Sequence, residues 1–407
     1  MLLMTAAFVL ARTGRDALYF QDGGIEALPF AYGGMALLAL PMAALLLLLV
    51  RSVGARRARL VATGLMSVVL AGAGFAGTPG GGPAMTLFFM LVPVVFGGLF
   101  SLAWLLAGEI LSRDSAEVAG AFSRAGAASI LGGLLGAGLA RGLAPWVAPR
   151  GLLLMSAVTL IAATLAMVRT HRRFPPVDLP GLPGPILMPP AFTTAIRQRY
   201  VRLLLAIAAL AALCGVLIEF QFYLAASSTV TGERGRTELF AEFYLGLNLA
   251  ALVLQRFVAP RLQAAVGLTG SLLVLPGAIV GLMPVVLGAA SGTMLGVLRL
   301  TEGGLKSSIH RVSWEQAYLP IGAGCRAEAK LLVDGVGTRL AEGFGAVLLY
   351  AWLTAGATGA GGLMYALLLA SVLWLVLTVR ARRYLNAGGP DTTPGDPAAR
   401  YARMPDS

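Results

Sequence analysis

Apolar stretches long enough to cross a lipid bilayer recur along almost the whole chain, separated by short polar turns. About 20 apolar residues in a helix reach across roughly 30 Å of hydrocarbon. The pattern therefore predicts an all-α polytopic membrane protein with about twelve transmembrane helices. The predicted spans are 1–20, 27–50, 60–77, 85–111, 117–140, 150–168, 200–226, 239–257, 267–288, 290–310, 331–353 and 359–379.

The longest interruption between apolar stretches is a basic segment whose many prolines prevent a continuing helix. It separates the first six predicted spans from the last six. This arrangement is typical of major facilitator transporters, in which two six-helix halves surround a site near the middle of the membrane. We therefore expect an N-terminal half at 1–168, a cytoplasmic linker at 169–199, a C-terminal half at 200–380 and a disordered cytoplasmic tail at 381–407.

Composition argues against a soluble enzyme. Of the 407 residues, 57% are hydrophobic and only 12% are charged, which is more apolar surface than one soluble core can bury. No polar stretch is long enough to form a soluble catalytic domain, so we predict neither an enzyme activity nor a cofactor. The 2 histidines and 2 cysteines supply neither a metal-ligand cluster nor a disulfide framework.

The net charge of +12 fits a membrane protein whose basic residues lie on one side. Lys and Arg mark cytoplasmic loops in such proteins. With a cytoplasmic N-terminus, most basic residues fall in the inside loops, and the outside loops hold chiefly Arg141, Arg150, Arg234 and Arg236. Both termini are therefore predicted to be cytoplasmic. Anionic lipid headgroups, rather than nucleic acid, then balance the excess charge.

Charged side chains also lie inside or beside the predicted spans. Arg12, Arg15 and Asp16 are in the first span, Glu219 is in the seventh and Lys306 is near the tenth. An ionised group in hydrocarbon costs about 2.5–3.5 kcal/mol on insertion scales, so such groups normally face a bundle interior or a water-filled cavity and mark transport pathways. Because residues four apart share a helix face, Asp16 can neutralise Arg12, which leaves a positive surplus for an anion.

Each of these charges also has a structural interpretation. The cluster in the first span could lie at a helix end and reach water along its aliphatic stems. Glu219 either forms a gating ion pair or a solute contact, or it pairs structurally with a basic side chain. Lys306 lies four residues after Glu302 and could pair with it locally.

Three charged segments carry a resemblance to a known family. The region GGLKSSIHRVSWEQAYLPIGAGCRAEAKLLVDGVGTRLAEGFG at 303–345, ARTGRDALYF at 11–20 and VLIEFQF at 216–222 resemble motifs of the bacterial and plastid ATP/ADP translocases. These are nucleotide transporters with a major-facilitator-like fold. Positions in 303–345 that match the family motifs are Lys306, Ala317, Tyr318, Pro320, Gly337, Arg339 and Leu340.

The resemblance implies a nucleotide transporter, with ATP/ADP exchange as its most specific form. It implies a solute site of Arg12, Arg15, Glu219, Lys306 and Arg339, in which the cations bind phosphate oxygens and Glu219 pairs with one of them when solute is absent. A bacterial inner membrane is the implied location. The expected partners are a nucleotide or another anionic small molecule and the lipid bilayer, and we expect a monomer.

The chain also departs from the family pattern. Arg15 stands where the family has a lysine, the fourth-span region 87–106 lacks the family's glutamate, and Ala341 and Glu342 replace a Gly-Lys pair. Two other functions therefore stay open. One is a major-facilitator transporter of another anionic solute, proton-coupled through Glu219. The other is a membrane scaffold or sensor that transports nothing.

Overall fold

The computed structural model describes residues 1–20, 24–76, 82–111, 118–173, 196–229, 232–289, 291–318, 320–321, 329–355 and 361–386. Within these ranges every long regular element is a helix. Eight of the described helical stretches are long and apolar enough, by length and composition, to cross a membrane. The chain is therefore an all-α integral membrane protein, as its hydropathy predicts.

The described residues of the first half form five helices. They are α1 (Leu2–Tyr19), α2 (Leu28–Ala76), α3 (Pro83–Leu111), α4 (Val118–Leu143) and α5 (Pro149–Arg173). The long helix α2 contains two predicted spans, because Gly54 interrupts it with a φ of 81°. Such a left-handed backbone conformation is open to glycine and strained for other residues.

The described residues of the second half form seven helices. They are α6 (Arg199–Thr229), α7 (Glu233–Val253), α8 (Ala259–Gly288), α9 (Gly292–Leu305), α10 (Arg311–Gln316), α11 (Thr338–Thr354) and α12 (Gly361–Asn386). Three π-helical turns join or extend these helices: Leu254–Val258 links α7 to α8, Lys306–His310 links α9 to α10, and Leu331–Gly337 leads into α11. Gly267, with a φ of 68°, divides α8.

The helical segments follow the predicted spans in order. When α2 is divided at Gly54 and α8 at Gly267, each predicted span has its own described helical segment, and the prediction of about twelve helices is confirmed. The predicted linker and tail fall largely outside the described residues. α5 continues to residue 173, residues 174–195 are outside the described part of the chain, and the last described residue is 386.

Each half packs on itself, and α1 of the first half also contacts the second half. In the first half α1 contacts α4 and α5, and α2 contacts α3 and α5. In the second half α6 contacts α11 and α12, and α8 contacts α12. The halves meet chiefly where α2 contacts α11 and where α4 and α1 contact α7. Side chains of α1 are therefore placed where both halves can reach them.

Several contacts between the halves lie at the end of the bundle where α1 ends and α2 begins, which we call the closed end. Near this end the rings of Phe30 and Tyr350 are 5.2 Å apart. Arg141 Nε, near the end of α4, lies 2.7 Å from Glu242 Oε1 near the start of α7. An aromatic contact and an ion pair thus join the halves here.

Small residues let α4 approach α1 closely. A Cβ atom added at Gly132 would lie 2.1 Å from the carbonyl oxygen of Leu2, and one at Gly136 would lie 2.6 Å from that of Ala6. Such close backbone approach is the usual purpose of small residues four apart in membrane helices. This packing fixes the position of α1 and of the charged side chains further along it.

Candidate functional site

A cavity of about 210 Å³ lies between the two halves. Helices of both halves line it. The lining residues are Phe8, Arg12, Arg15, Tyr32, Met35, Phe89, Pro93, Val216, Glu219, Arg299, Arg339 and Glu342. Four of the five site residues expected from the sequence are in this set, and Lys306 is not.

Arg12 and Glu219 join the halves at the wall of this cavity. Arg12 Nη2, on α1, donates a hydrogen bond of 2.5 Å to Glu219 Oε1 on α6. Both side chains are mostly buried, at 22% and 21% exposed. The Arg12 guanidinium also lies 4.7 Å from the ring centroid of Tyr244 on α7. Two helices of the second half therefore hold Arg12, and it does not reach out to bulk water.

Glu219 bridges two guanidinium groups. Besides Arg12, its Oε1 accepts a hydrogen bond of 2.7 Å from Arg299 Nη2 on α9. Arg299 also donates to Glu302, which in turn lies 3.1 Å from Lys306 Nζ. A continuous chain of opposite charges thus runs from α1 through α6 into α9.

Asp16 is the most completely enclosed acid of the site, with no solvent exposure. Its Oδ1 accepts a bond of 2.7 Å from Arg15 Nε. Its Oδ2 accepts a bond of 2.9 Å from the Tyr223 hydroxyl on α6, and a second from the Tyr244 hydroxyl on α7. The carboxylate of a first-half residue is therefore held by two hydroxyl groups of the second half.

Arg15 has little freedom to bind a solute. In addition to its bonds to Asp16, its Nη1 donates to the backbone oxygen of Phe89 at 3.2 Å, and its guanidinium lies 4.0 Å from the centroid of that ring. The residue is only 3% exposed. Arg15 is therefore mainly the counterion of Asp16, although it also lines the cavity.

Lys306 and Arg339 each pair on their own helix segment. Lys306 is half-exposed and pairs with Glu302, so the local pair considered in the sequence is present. Arg339 lines the cavity, and its Nη1 lies 2.6 Å from Glu342 Oε2. Glu342 is one of the departures from the translocase motif, and here it supplies the counterion of Arg339.

Sequence reasoning missed Arg299, Tyr32 and Tyr244. Arg299 carried a usable signal, because it is a charged residue inside the predicted span 290–310. The tyrosines carried none, because a tyrosine in a membrane span is ordinarily a packing residue. Their importance depends on which helices meet, at the cavity for Tyr32 and at Asp16 for Tyr244, and only the fold shows this.

The described part of the chain offers anion-binding groups but no metal site. It contains no group of three or more His, Cys, Asp or Glu side chains placed to hold a metal ion. The Arg and Lys side chains of the site are suited to carboxylate or phosphate oxygens. The Arg12 and Arg299 guanidinium groups are therefore placed where an anion could take the contacts that Glu219 now makes.

Solved structures of a nucleoside transporter share this fold. The nucleoside transporter NupG matches 94% of this chain and 98% of its own, with a TM-score of 0.66 and 12% sequence identity. An aspartate-to-alanine mutant of NupG matches 93% of this chain and 99% of its own, with a TM-score of 0.63 and 13% identity. No family profile matches the chain, and no curated protein matches it in sequence. The chain is thus an integral membrane protein with a major-facilitator-like fold.

Proposed function

We propose that this chain is an alternating-access transporter of nucleotides or nucleotide-like anions. The observation that carries the proposal is the bridge in which Glu219 joins Arg12 of the first half to Arg299 of the second, beside a cavity between the halves. A charge pair that crosses the halves couples the occupancy of the cavity to their separation.

Competition for the guanidinium groups supplies the mechanism. A phosphate or carboxylate group entering the cavity offers Arg12 and Arg299 oxygen acceptors in place of Glu219 Oε1, which now accepts one hydrogen bond from each. When the solute takes those contacts, it replaces Glu219 as the link between Arg12 and Arg299, so the relative position of the halves then depends on how the solute fits both of them. The solute thereby shifts the population of the two conformations through its differential contacts.

Two findings support nucleotide-like solutes. The segments at 11–20, 216–222 and 303–345 resemble nucleotide transporters, and the fold is shared with a nucleoside transporter. ATP/ADP exchange is the narrowest form of the proposal and rests on the resemblance alone. Transport of another small anion is the second candidate, because Glu342 neutralises Arg339 where the translocases have a lysine.

The proposal includes an orientation and an assembly state. We propose that both termini are cytoplasmic in a bacterial inner membrane, because most basic residues then fall on the cytoplasmic side. We propose that the protein works as a monomer, since the cavity lies between two halves of the same chain.

Uptake into proteoliposomes tests the function. Purified full-length protein is reconstituted, and the entry of radiolabelled adenosine, AMP, ADP, ATP and inorganic phosphate is measured. We expect uptake of a nucleotide, lost in Arg12→Gln and retained in Arg234→Gln, a matched change at an exposed arginine outside the cavity. The nucleotide assignment is wrong if no nucleotide enters while phosphate does, and the transporter assignment is wrong if nothing enters.

A further inference from the structure

The charges around the cavity nearly cancel. Among the described residues, the cations and carboxylates that line it, or connect to it by ion pairs, are Arg12, Arg15, Arg299, Lys306, Arg339, Asp16, Glu219, Glu302 and Glu342. The set has one more cation than carboxylates. Every one of these cations has a carboxylate partner among the described residues. The site therefore has about one positive charge to spare.

This small surplus limits the charge of a solute. Moving an ion from water into a partly buried site is costly unless an opposite charge compensates it. A phosphate monoester carries about −1.5 to −2 charges at neutral pH, and each further phosphate in a chain adds more. A monophosphate comes close to the available surplus. A triphosphate leaves several negative charges without a counterion in this cavity.

The size of the cavity points the same way. Its volume is about 210 Å³, whereas pockets that enclose drug-sized ligands are about 300–1,000 Å³. The space in this conformation suits a compact anionic group and part of a ring system. A whole nucleotide needs the cavity to widen, and each further phosphate adds to the space required.

The apolar side of the cavity belongs mostly to the first half. Phe8, Tyr32, Met35, Phe89 and Pro93 form it. The opposite side, from α6, α9 and α11, is mostly charged. A solute that fits both sides has a flat, weakly polar part and an ionic part, held at different ends.

Tyr32 gives a reason to expect hydrogen-bonding groups at the edge of the flat part of the solute. Its side chain is 5% exposed, and its hydroxyl is buried without a hydrogen-bond partner in the described residues. Leaving a buried hydroxyl unpaired is unfavourable, so a ligand seated beside Tyr32 gains by completing the bond. A heterocyclic ring edge with donors and acceptors does so.

We infer that the solute is a ring-bearing molecule with one compact anionic group, of the nucleoside monophosphate class, and not a nucleoside di- or triphosphate. This inference rests on the proposed transport function. The anionic group binds Arg12 and Arg299 in place of Glu219, and the ring lies on the apolar side beside Tyr32.

A series of ligands that share one base tests the inference. Binding of adenosine, AMP, ADP and ATP to the purified full chain is measured by calorimetry without Mg²⁺ at constant ionic strength. We expect AMP to bind most tightly and ATP roughly tenfold more weakly, because its additional charges have no counterion. The inference is overturned if ADP, ATP or adenosine binds as tightly as AMP. If none of the four binds, the proposed function fails as well.

Charge variants separate this explanation from simple size selection. Glu342→Gln raises the surplus by one, and its side chain is only partly buried. We expect it to improve ADP binding relative to AMP. Glu315→Gln makes the same change of charge at an exposed pair with Lys330, which is outside the cavity, and should leave that ratio unchanged. An ADP/AMP ratio that is equal in wild type and Glu342→Gln contradicts the charge argument.

A second pair of ligands tests the role of the tyrosine. Tyr32→Phe keeps the ring and removes the unpaired hydroxyl. We expect it to weaken AMP binding while binding of ribose 5-phosphate, which has no base, stays the same. Equal losses for both ligands, or no loss for AMP, would show that Tyr32 does not contact the base.

Discussion

Glu219→Gln should favour separation of the halves at the closed end. Glutamine keeps the shape of the side chain but removes the charge that Arg12 and Arg299 share at 2.5 and 2.7 Å. A hydrogen bond to a charged group contributes about 1.5–3 kcal/mol, roughly twice as much as a neutral one. The neutral side chain also leaves two buried guanidinium groups facing each other, with no counterion at this position.

The size of the effect follows from the bond that crosses the halves. Losing about half of the free energy of the Arg12–Glu219 hydrogen bond costs about 1 kcal/mol. Repulsion between the two guanidinium groups, which no longer share a negative charge, raises the cost to as much as about 3 kcal/mol. Since about 1.4 kcal/mol is a factor of ten, the ratio of separated to closed molecules should rise about 5- to 150-fold. Both side chains are mostly buried, so solvent screening reduces this estimate little.

Distance measurements between spin labels provide the assay. Cysteines replace Trp146, in the turn after α4, and Arg234, near the start of α7, after the native Cys214 and Cys325 are removed. Both label positions are exposed, lie near the closed end and belong to different halves. We expect Glu219→Gln to increase the population with the longer distance.

An ion pair outside the cavity provides the control. Lys330→Gln removes a charge whose partner, Glu315, is exposed and outside the cavity, so it should leave the distance distribution unchanged. If Glu219→Gln is folded, as judged by its thermal unfolding, yet gives the wild-type distribution, then the bridge does not hold the halves together. The coupling of solute binding to Glu219 would be refuted with it.

Three further outcomes are expected. Arg15→Ala should lower the free energy of unfolding by about 3–5 kcal/mol in detergent, because it removes the closest counterion of a buried carboxylate and leaves only Arg12, at 3.8 Å; a change below 1 kcal/mol would contradict this. Gly136→Ala should destabilise the folded protein by about 1–3 kcal/mol, because its methyl group would lie 2.6 Å from a backbone oxygen of α1. The control Gly138→Ala should be tolerated, because the nearest atom to its methyl group is 4.0 Å away. A cysteine at Trp146 should react with an impermeant reagent in intact cells, and one at Arg169 should not; the reverse pattern would invert the proposed orientation.

Hydropathy was enough to predict the helices, because each span must satisfy its backbone hydrogen bonds internally and expose apolar side chains to lipid. The segments of α2 on either side of Gly54 were predicted as separate spans for this reason. Charge was enough to find Arg12 and Glu219, since both are costly in hydrocarbon and therefore need partners. Their pairing with each other is a property of the fold, as 207 positions separate them in the chain.

The hydrogen bonds of Asp16 show where sequence reasoning ends. Spacing predicted its proximity to Arg12, which the structure places at 3.8 Å. Its closer partners are Arg15, the adjacent residue, and the hydroxyls of Tyr223 and Tyr244 from two other helices. Helix spacing describes one face of one helix, whereas this carboxylate is enclosed by three helices that cross.

The π turns explain why spacing was least informative in the region that most resembles the translocases. Each π turn inserts one extra residue, and an extra residue rotates the helix that follows by about 100° relative to an unbroken α-helix. Lys306 begins one such turn, and another ends at Gly337, two residues before Arg339. A helical wheel drawn across either turn therefore assigns the wrong faces. Two cations that the resemblance treats alike also occupy different places: Arg339 lines the cavity, and Lys306 reaches it only through Glu302 and Arg299.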